Sequence, residues 1–218
     1  MSIEQIHYQD ARKMMKPGDV IAFGGRGYLS EFIKFATFSN VSHIGVILQT
    51  TIMQDVTDRF FNQIIESTSL DGFNGVGISR FSDRLNAYEG EIWWLPLKRE
   101  RREALFDQKK FFDFLFHQAK EQKPYDMPQA IKSALDAFDD LPFGKRGASY
   151  NHEDFSTFFC SELVSAGLEV SGIVGNINAS EVTPIDLCRW NIYDDVYYQL
   201  SGDRSKKITR FNTVEPAS

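Results

Sequence analysis

Short runs of branched apolar and aromatic residues, most of them in the first half of the chain, constrain the fold more than any other feature. Residues 19–23, 43–48, 63–68 and 91–97 each have the length and composition of a β-strand. Pro96 marks the last run as an edge or an exit of a sheet, because proline cannot donate to a ladder. Helical patterns alternate with these runs irregularly. This order favours an α+β fold with an antiparallel sheet over a doubly wound parallel sheet.

Helical signals lie on both sides of the strands. Ser2 and Gln5 have the spacing of a capping box and predict an N-terminal helix over residues 2–16. Apolar positions among charged residues predict one long helix from about residue 99 to residue 122. A further helix is predicted to start close to Ser161, directly after an apolar extended run.

The chain has 218 residues and neither a linker nor an internal repeat, so we expect one domain over residues 1–218. Its core is expected at about 17–200, followed by a polar, flexible tail after residue 201. Hydrophobic residues at 42% and charged residues at 25% are ordinary for a globular protein and exclude general disorder. The 19 phenylalanines indicate a large aromatic core or an apolar groove.

Charge and apolar run lengths restrict the partners. A net charge of -6 argues against a nucleic-acid partner, because such binding relies on neutralising phosphates with basic residues. No apolar run approaches the ~18 residues of a membrane-spanning helix, so no integral membrane segment is expected. The first residues lack the basic start and the apolar run of a secretory signal. We therefore expect a cytoplasmic protein, with a trimmed secreted form as the alternative. The sequence leaves the oligomeric state open.

Cys160 carries the sharpest chemical signal. It lies where the apolar run 155–159 meets the predicted helix at Ser161. A thiol at a helix N-terminus faces unpaired amide donors and the positive end of the helix dipole, and both favour the thiolate. The alternative is a buried cysteine that acts as a small apolar residue. Cys188 has no comparable surroundings and is interpreted as structural.

A cysteine nucleophile needs a base, and the chain has four histidines. His7 and His117 lie in polar or helical surroundings and are interpreted as surface or structural residues. His152 belongs to a polar loop shortly before Cys160, where a base would be held poorly. His43 opens a strongly apolar strand, which would fix its imidazole at one end of the sheet. His43 is therefore the best candidate, although a purely structural histidine remains the alternative.

A third group usually orients the imidazole of such a pair. Glu66 follows two isoleucines on the next predicted strand, and a carboxylate with a buried approach is costly unless it is paired. The segment between His43 and Glu66, residues 49–62, is long and polar, and its Asp55 and Asp58 compete for this role.

Further candidates concern the oxyanion and cofactors. Tyr125 has a phenolic hydroxyl that can donate to an oxyanion, with an ordinary turn aromatic as the alternative. The backbone at the helix start, around Ser161, offers amide donors for the same purpose. No spacing of His, Cys, Asp and Glu makes a credible zinc site, so no metal or other cofactor is expected.

Several segments together resemble the permuted papain-like amidases, the branch of the NlpC-type superfamily that includes the YiiX/YaeF-like proteins. They are Gly-Asp-Val-Ile at 18–21, Ser-His-Ile-Gly-Val at 42–46, Ile-Glu-Ser at 65–67 and Phe-Cys-Ser-Glu-Leu-Val at 159–164, with support from 123–126 and 183–187. In this branch the segment that bears the base precedes the nucleophile, and the order His43, Glu66, Cys160 fits.

The resemblance implies a circularly permuted papain-like fold, with an antiparallel sheet, often barrel-like, packed against a helix that bears the nucleophile. Cys160 would be the nucleophile, His43 the general base and then acid, and Glu66 the residue that holds the imidazole. Tyr125 is similar to a family tyrosine near the active cleft. The implied activity is hydrolysis or transfer at an amide, ester or thioester carbonyl. Our first hypothesis is a cysteine hydrolase that cleaves an amide bond, in a peptidoglycan-like peptide or another acylated amine, through a thioester.

Two alternatives remain at this point. The superfamily also resembles lecithin:retinol acyltransferase, which would make the chain a lipid acyltransferase or thioesterase, and the 14% of aromatic residues would suit a groove for an acyl chain. The other alternative is a binding module that keeps the cleft without turnover. The expected partner is accordingly a small peptide, amide or acyl substrate.

Overall fold

The computed structural model describes residues 1–25, 38–52, 60–70, 73–121 and 159–216. The strands are β1 (Ser2–Gln5), β2 (Val20–Gly25), β3 (His43–Ile52), β4 (Phe60–Leu70), β5 (Phe73–Arg80), β6 (Gly90–Leu95) and β7 (Val196–Ser201). The α-helices are α1 (Tyr8–Ala11), α2 (Phe81–Ala87), α3 (Arg99–Leu105), α4 (Gln108–Lys120), α5 (Cys160–Val170) and α6 (Pro184–Arg189), and a 3₁₀ turn spans Ala179–Glu181.

The described strands form one seven-stranded sheet in the order β1-β7-β6-β2-β3-β4-β5. All neighbours are antiparallel except β1 and β7. The predicted α+β class is therefore confirmed. The barrel-like closure is wrong for the described strands, because the chain turns from β5 into α2 and leaves β1 and β5 at opposite edges of an open sheet.

The sheet has an apolar cluster on each face because successive side chains of a strand point to opposite sides. In β2, Val20 and Ala22 pack in the larger cluster, which includes residues of α4 and α5. Ile21 and Phe23 pack in the smaller cluster, together with Phe81 of α2. Helices therefore cover both faces of β2, which explains why all six of its residues are buried.

The predicted N-terminal helix over residues 2–16 is wrong. Residues Ser2–Gln5 instead form β1, which pairs in parallel with β7 from Ser2 opposite Val196 to Gln5 opposite Gln199. Only Tyr8–Ala11 is helical. The capping-box spacing is a local signal, and the backbone hydrogen bonds that β1 gains at the sheet edge outweigh it.

The predicted long helix over residues 99–122 is divided into α3 and α4. The division falls at Phe106 and Asp107. The Asp107 carboxylate accepts a hydrogen bond from the Lys110 backbone N–H at 3.0 Å and so caps the start of α4. The Phe106 ring packs against Phe111, with 5.1 Å between the ring centroids, so the break also partly buries an aromatic side chain.

The segment after residue 201, predicted to be a flexible tail, contributes buried residues to the core. Ile208 and Phe211 are 4% and 5% exposed, and both belong to the larger apolar cluster. The indole N–H of Trp93 donates to the carbonyl of Lys206 at 2.9 Å. Two apolar residues in this polar segment therefore pack in the core of the protein.

Candidate active site

The structure brings three of the sequence-predicted residues together. His43 is the first residue of β3, Glu66 lies in β4 and Cys160 is the first residue of α5. Because β3 and β4 are antiparallel neighbours, the His43 and Glu66 side chains meet across the ladder. Tyr125 lies outside the described residues, as does His152.

The His43 imidazole has a partner on each side. Its Nε2 atom lies 2.6 Å from Oε2 of Glu66, and the Cys160 side chain is its other hydrogen-bonding partner. The imidazole is 15% exposed and the Glu66 side chain 5% exposed, so this contact is shielded from solvent.

Opposing effects set the protonation of this histidine. Burial by itself would lower the pKa of His43, but the charges and hydrogen bonds of Cys160 and Glu66 outweigh it and raise the pKa to about 9. At neutral pH the imidazole is therefore protonated. A protonated imidazole that is held by a buried carboxylate can donate a proton.

Cys160 is fully buried at the first position of α5. The helix begins here because Phe159 has an extended backbone and its N–H donates to Oε2 of Glu162 at 3.3 Å. The first N–H groups of a helix have no acceptor within the helix itself, and the amide of Cys160 is one of them.

Ser161 does not present its hydroxyl to the site. The side chain is fully buried, and its Oγ atom donates to the carbonyl of Val182. This contact ties α5 to the turn before α6. The predicted contribution of Ser161 to an oxyanion site is therefore restricted to its backbone.

Sequence reasoning missed Arg84. This residue of α2 donates from Nε to Oε1 of Glu66 at 2.7 Å, and its side chain is 11% exposed. Nothing in the local sequence distinguishes it from a surface arginine. The available signal was indirect: a buried carboxylate has two oxygens, and His43 satisfies only one of them.

Aromatic side chains close the side of the site next to Arg84. The Phe23 ring lies 5.3 Å from the His43 ring and 4.8 Å from the Tyr88 ring, measured between centroids. The Tyr88 hydroxyl contacts Ser42 and the backbone of Gly25, and burial raises the pKa of Tyr88 to about 12. This phenol is therefore neutral throughout the physiological pH range.

The remaining cysteine and histidines of the described residues lie elsewhere. Burial raises the pKa of Cys188 far above its ordinary value, and the side chains that act on it are Asp186 and Arg189 rather than an imidazole. His7 and His117 are exposed. This agrees with their interpretation as structural or surface residues.

Comparison with known proteins finds similarity to solved structures alone. No protein-family model matches the chain, and no curated protein matches it. The metalloprotein YiiX of Escherichia coli O157:H7, DUF1105, is similar with a TM-score of 0.43 and 18% sequence identity. The match covers 72% of this chain and 66% of the YiiX chain, less than two thirds of its length. The assignment to papain-like amidases stays a prediction.

Within the described ranges, no group of three or more His, Cys, Asp or Glu side chains could hold a metal ion. None of the helices in those ranges is long and apolar enough to cross a membrane.

Proposed function

We propose that the chain is a cysteine hydrolase that cleaves an amide bond, in a peptidoglycan-like peptide or another acylated amine. The observation that carries this proposal is the contact of one imidazole, His43, with Cys160 on one side and Glu66 on the other. A buried cysteine and a buried histidine that served only as packing residues would have no reason to lie in contact. Three polar groups in a row, closed off from solvent, match a nucleophile, a base and an orienting acid.

In the first step the Cys160 sulfur attacks the carbonyl carbon of the amide. The negative charge that develops on the carbonyl oxygen is held by backbone N–H groups at the start of α5, including that of Cys160. The C–N bond then breaks, and the His43 imidazolium gives its proton to the leaving amine. The product is a thioester on Cys160 and a neutral imidazole.

In the second step water replaces the amine. His43 takes a proton from the water, the hydroxide oxygen attacks the thioester carbonyl, and the C–S bond breaks. The acid product leaves, and the thiolate and imidazolium are restored. Glu66 keeps the imidazole oriented in both steps and stabilises its protonated form.

The proposal includes a circularly permuted papain-like fold. The order of the three residues along the chain, with His43 and Glu66 before Cys160, supports it. So does the packing of α5 against β3 and β4, which brings the first residue of the helix to the strands that bear the base and the acid.

A small ester tests the proposal, because a fully buried thiol is reached most easily by a small reagent. We expect p-nitrophenyl acetate to acetylate Cys160, as located by peptide mass spectrometry, and His43→Ala to slow the reaction about 1,000-fold. His117→Ala removes an exposed imidazole and Cys188→Ala removes the other thiol, so both are matched controls with the wild-type rate. Equal rates in His43→Ala and wild type would reject the mechanism.

A matched amide separates the two roles of His43. Cleavage of p-nitroacetanilide is expected to fall as the pH rises through about 9, because a neutral imidazole cannot protonate the leaving amine. p-Nitrophenolate leaves without a proton, so acetylation by the ester lacks this decline. A decline shared by both substrates would contradict proton donation by His43.

The same assay decides between the alternatives. Stable acetylation that is released by an amine or alcohol acceptor rather than by water indicates an acyltransferase. No acetylation of Cys160 at neutral pH indicates a binding module.

A further inference from the structure

Four polar side chains form a continuous series of contacts at the centre of the candidate active site. Cys160 contacts His43, His43 contacts Glu66, and Glu66 contacts Arg84. In the proposed mechanism the sulfur reacts as a thiolate beside a protonated imidazole, so the charges alternate along this row and sum to zero. The mechanism uses the first three groups and leaves the arginine without a role.

Arg84 is held more firmly than an ordinary ion-pair partner. Its guanidinium carbon lies 4.9 Å from the centroid of the Phe23 ring and 4.8 Å from that of Tyr88. Contacts with two aromatic faces favour a cation and restrict the planar group to one orientation. The Nε atom is thereby directed at Oε1 of Glu66, which leaves Oε2 to the imidazole.

We propose that Arg84 is a positioning residue of the hydrolase inferred above, which fixes the Glu66 carboxylate toward His43 and sets the pH range in which the Cys160–His43 pair reacts. This inference rests on the proposed function. Arg84 acts through Glu66 and touches neither the sulfur nor the imidazole in the described contacts.

The electrostatic consequence has a definite sign. Removing Arg84 leaves the row with one net negative charge in a shielded site, and a lost positive charge makes each titratable neighbour bind protons more tightly. The groups concerned are Glu66 from β4, His43 from β3 and Cys160 from α5. Tyr88, which also faces Arg84, stays neutral in this range. The pH profile of the site therefore moves upward.

The experiment is the rate of Cys160 alkylation by iodoacetamide as a function of pH, followed by peptide mass spectrometry. In Arg84→Gln we expect the midpoint of the profile to rise by about 1 pH unit, so that the rate on the acidic limb of the profile falls about 10-fold. Arg84→Lys keeps the positive charge but loses the planar guanidinium. Its profile should therefore have the wild-type midpoint, while its plateau rate stays several-fold below that of wild type. Arg80→Gln removes an exposed arginine just before α2 and should match wild type.

The outcomes separate this inference from the proposed function. A folded Arg84→Gln with the wild-type profile overturns the role of Arg84 and leaves the hydrolase standing. Wild-type alkylation that is unaffected by His43→Ala overturns the hydrolase itself. If Arg84→Gln does not fold by circular dichroism, Arg84→Lys decides: a wild-type plateau together with a wild-type midpoint shows that Arg84 serves stability alone.

Discussion

Two buried carboxylates in this protein each form an ion pair with an arginine, but their oxygens accept hydrogen bonds from different kinds of donor. Asp19, at the start of β2, is 2% exposed and forms an ion pair with Arg102 of α3. Its Oδ2 atom accepts from the Lys16 N–H and the Trp94 indole, each at 2.9 Å, and its Oδ1 atom accepts from the Leu97 N–H at 3.1 Å. These donors come from residue 16 and from the segment 94–102, which lies far from it in sequence.

Glu66 is equally buried, at 4% exposed, but both of its oxygens contact side chains. His43 lies at one oxygen and Arg84 at the other, and none of the described contacts to the carboxylate comes from a backbone amide. Backbone donors fix the path of the chain, whereas an imidazole can exchange a proton. The comparison separates a carboxylate that organises the fold from one that serves the proposed chemistry.

The largest expected effect is on stability and belongs to Asp19. Asp19→Ala leaves the Arg102 cation without its partner and removes the acceptor of three N–H groups, so we expect the free energy of unfolding in urea to fall by about 4 kcal/mol. Asp113→Ala, which removes a 57% exposed carboxylate, should cost less than about 0.5 kcal/mol. Similar losses in the two variants would remove the structural role of Asp19.

The next effect is on reactivity and belongs to Glu66. Glu66→Gln keeps the shape of the side chain but removes the charge that stabilises the His43 imidazolium. Acetylation of Cys160 by p-nitrophenyl acetate should therefore slow about 100-fold per folded molecule. The rate is normalised to the folded fraction measured by circular dichroism. A rate within a factor of two of wild type would place Glu66 with Asp19 as a structural carboxylate.

The pH dependence of stability gives a third, smaller difference. Burial acts to raise the pKa of Glu66, but His43 and Arg84 outweigh it and hold the pKa below the ordinary value of 4.5. A lowered pKa stabilises the fold above the unfolded value and ceases to do so as the pH falls through the folded value.

The stability advantage of wild type over Glu66→Gln should thus be largest near neutral pH and shrink below about pH 4.5. Urea unfolding at a series of pH values measures it. Glu103→Gln is the matched control, because that carboxylate is 63% exposed and its stability difference should stay small at every pH. An advantage that grows on acidification would show the opposite pKa shift.

Part of the fold and of the site could be predicted from sequence because the signals are local. The branched runs at 43–48 and 63–68 lie within β3 and β4, and a histidine before such a run lies at the end of its strand. The start of α5 at Cys160 follows from the change between an extended apolar run and a helical pattern.

The remaining features depend on contacts between distant parts of the chain. The capping-box spacing of Ser2 and Gln5 could not reveal that β7, almost 200 residues later, offers an edge to pair with. Arg84 reaches Glu66 only because α2 folds back over β4, and no spacing in the sequence encodes that approach. Arg84, the partner of Glu66 that sequence analysis missed, could therefore be identified only from the folded structure.

The smallest expected effect tests one hydrogen bond of the Asp19 network. Trp94→Phe keeps an aromatic ring near Tyr198, on which the indole stacks with 4.8 Å between centroids, but removes the N–H that donates to Oδ2. We expect the free energy of unfolding to fall by about 1.5 kcal/mol, from the lost hydrogen bond and the smaller ring. The reactivity of Cys160 should stay unchanged.

A double-mutant cycle isolates the hydrogen bond from the change in ring size. In the Asp19→Ala background the acceptor is already absent, so Trp94→Phe should cost about 1 kcal/mol less than it does in wild type. Strict additivity would mean that the indole N–H contributes nothing through Asp19. Among the described residues, Glu66 shares no partner with this network, so the coupling energy between Trp94→Phe and Glu66→Gln should be close to zero. A clear coupling energy would contradict the separation of the two carboxylates into different networks.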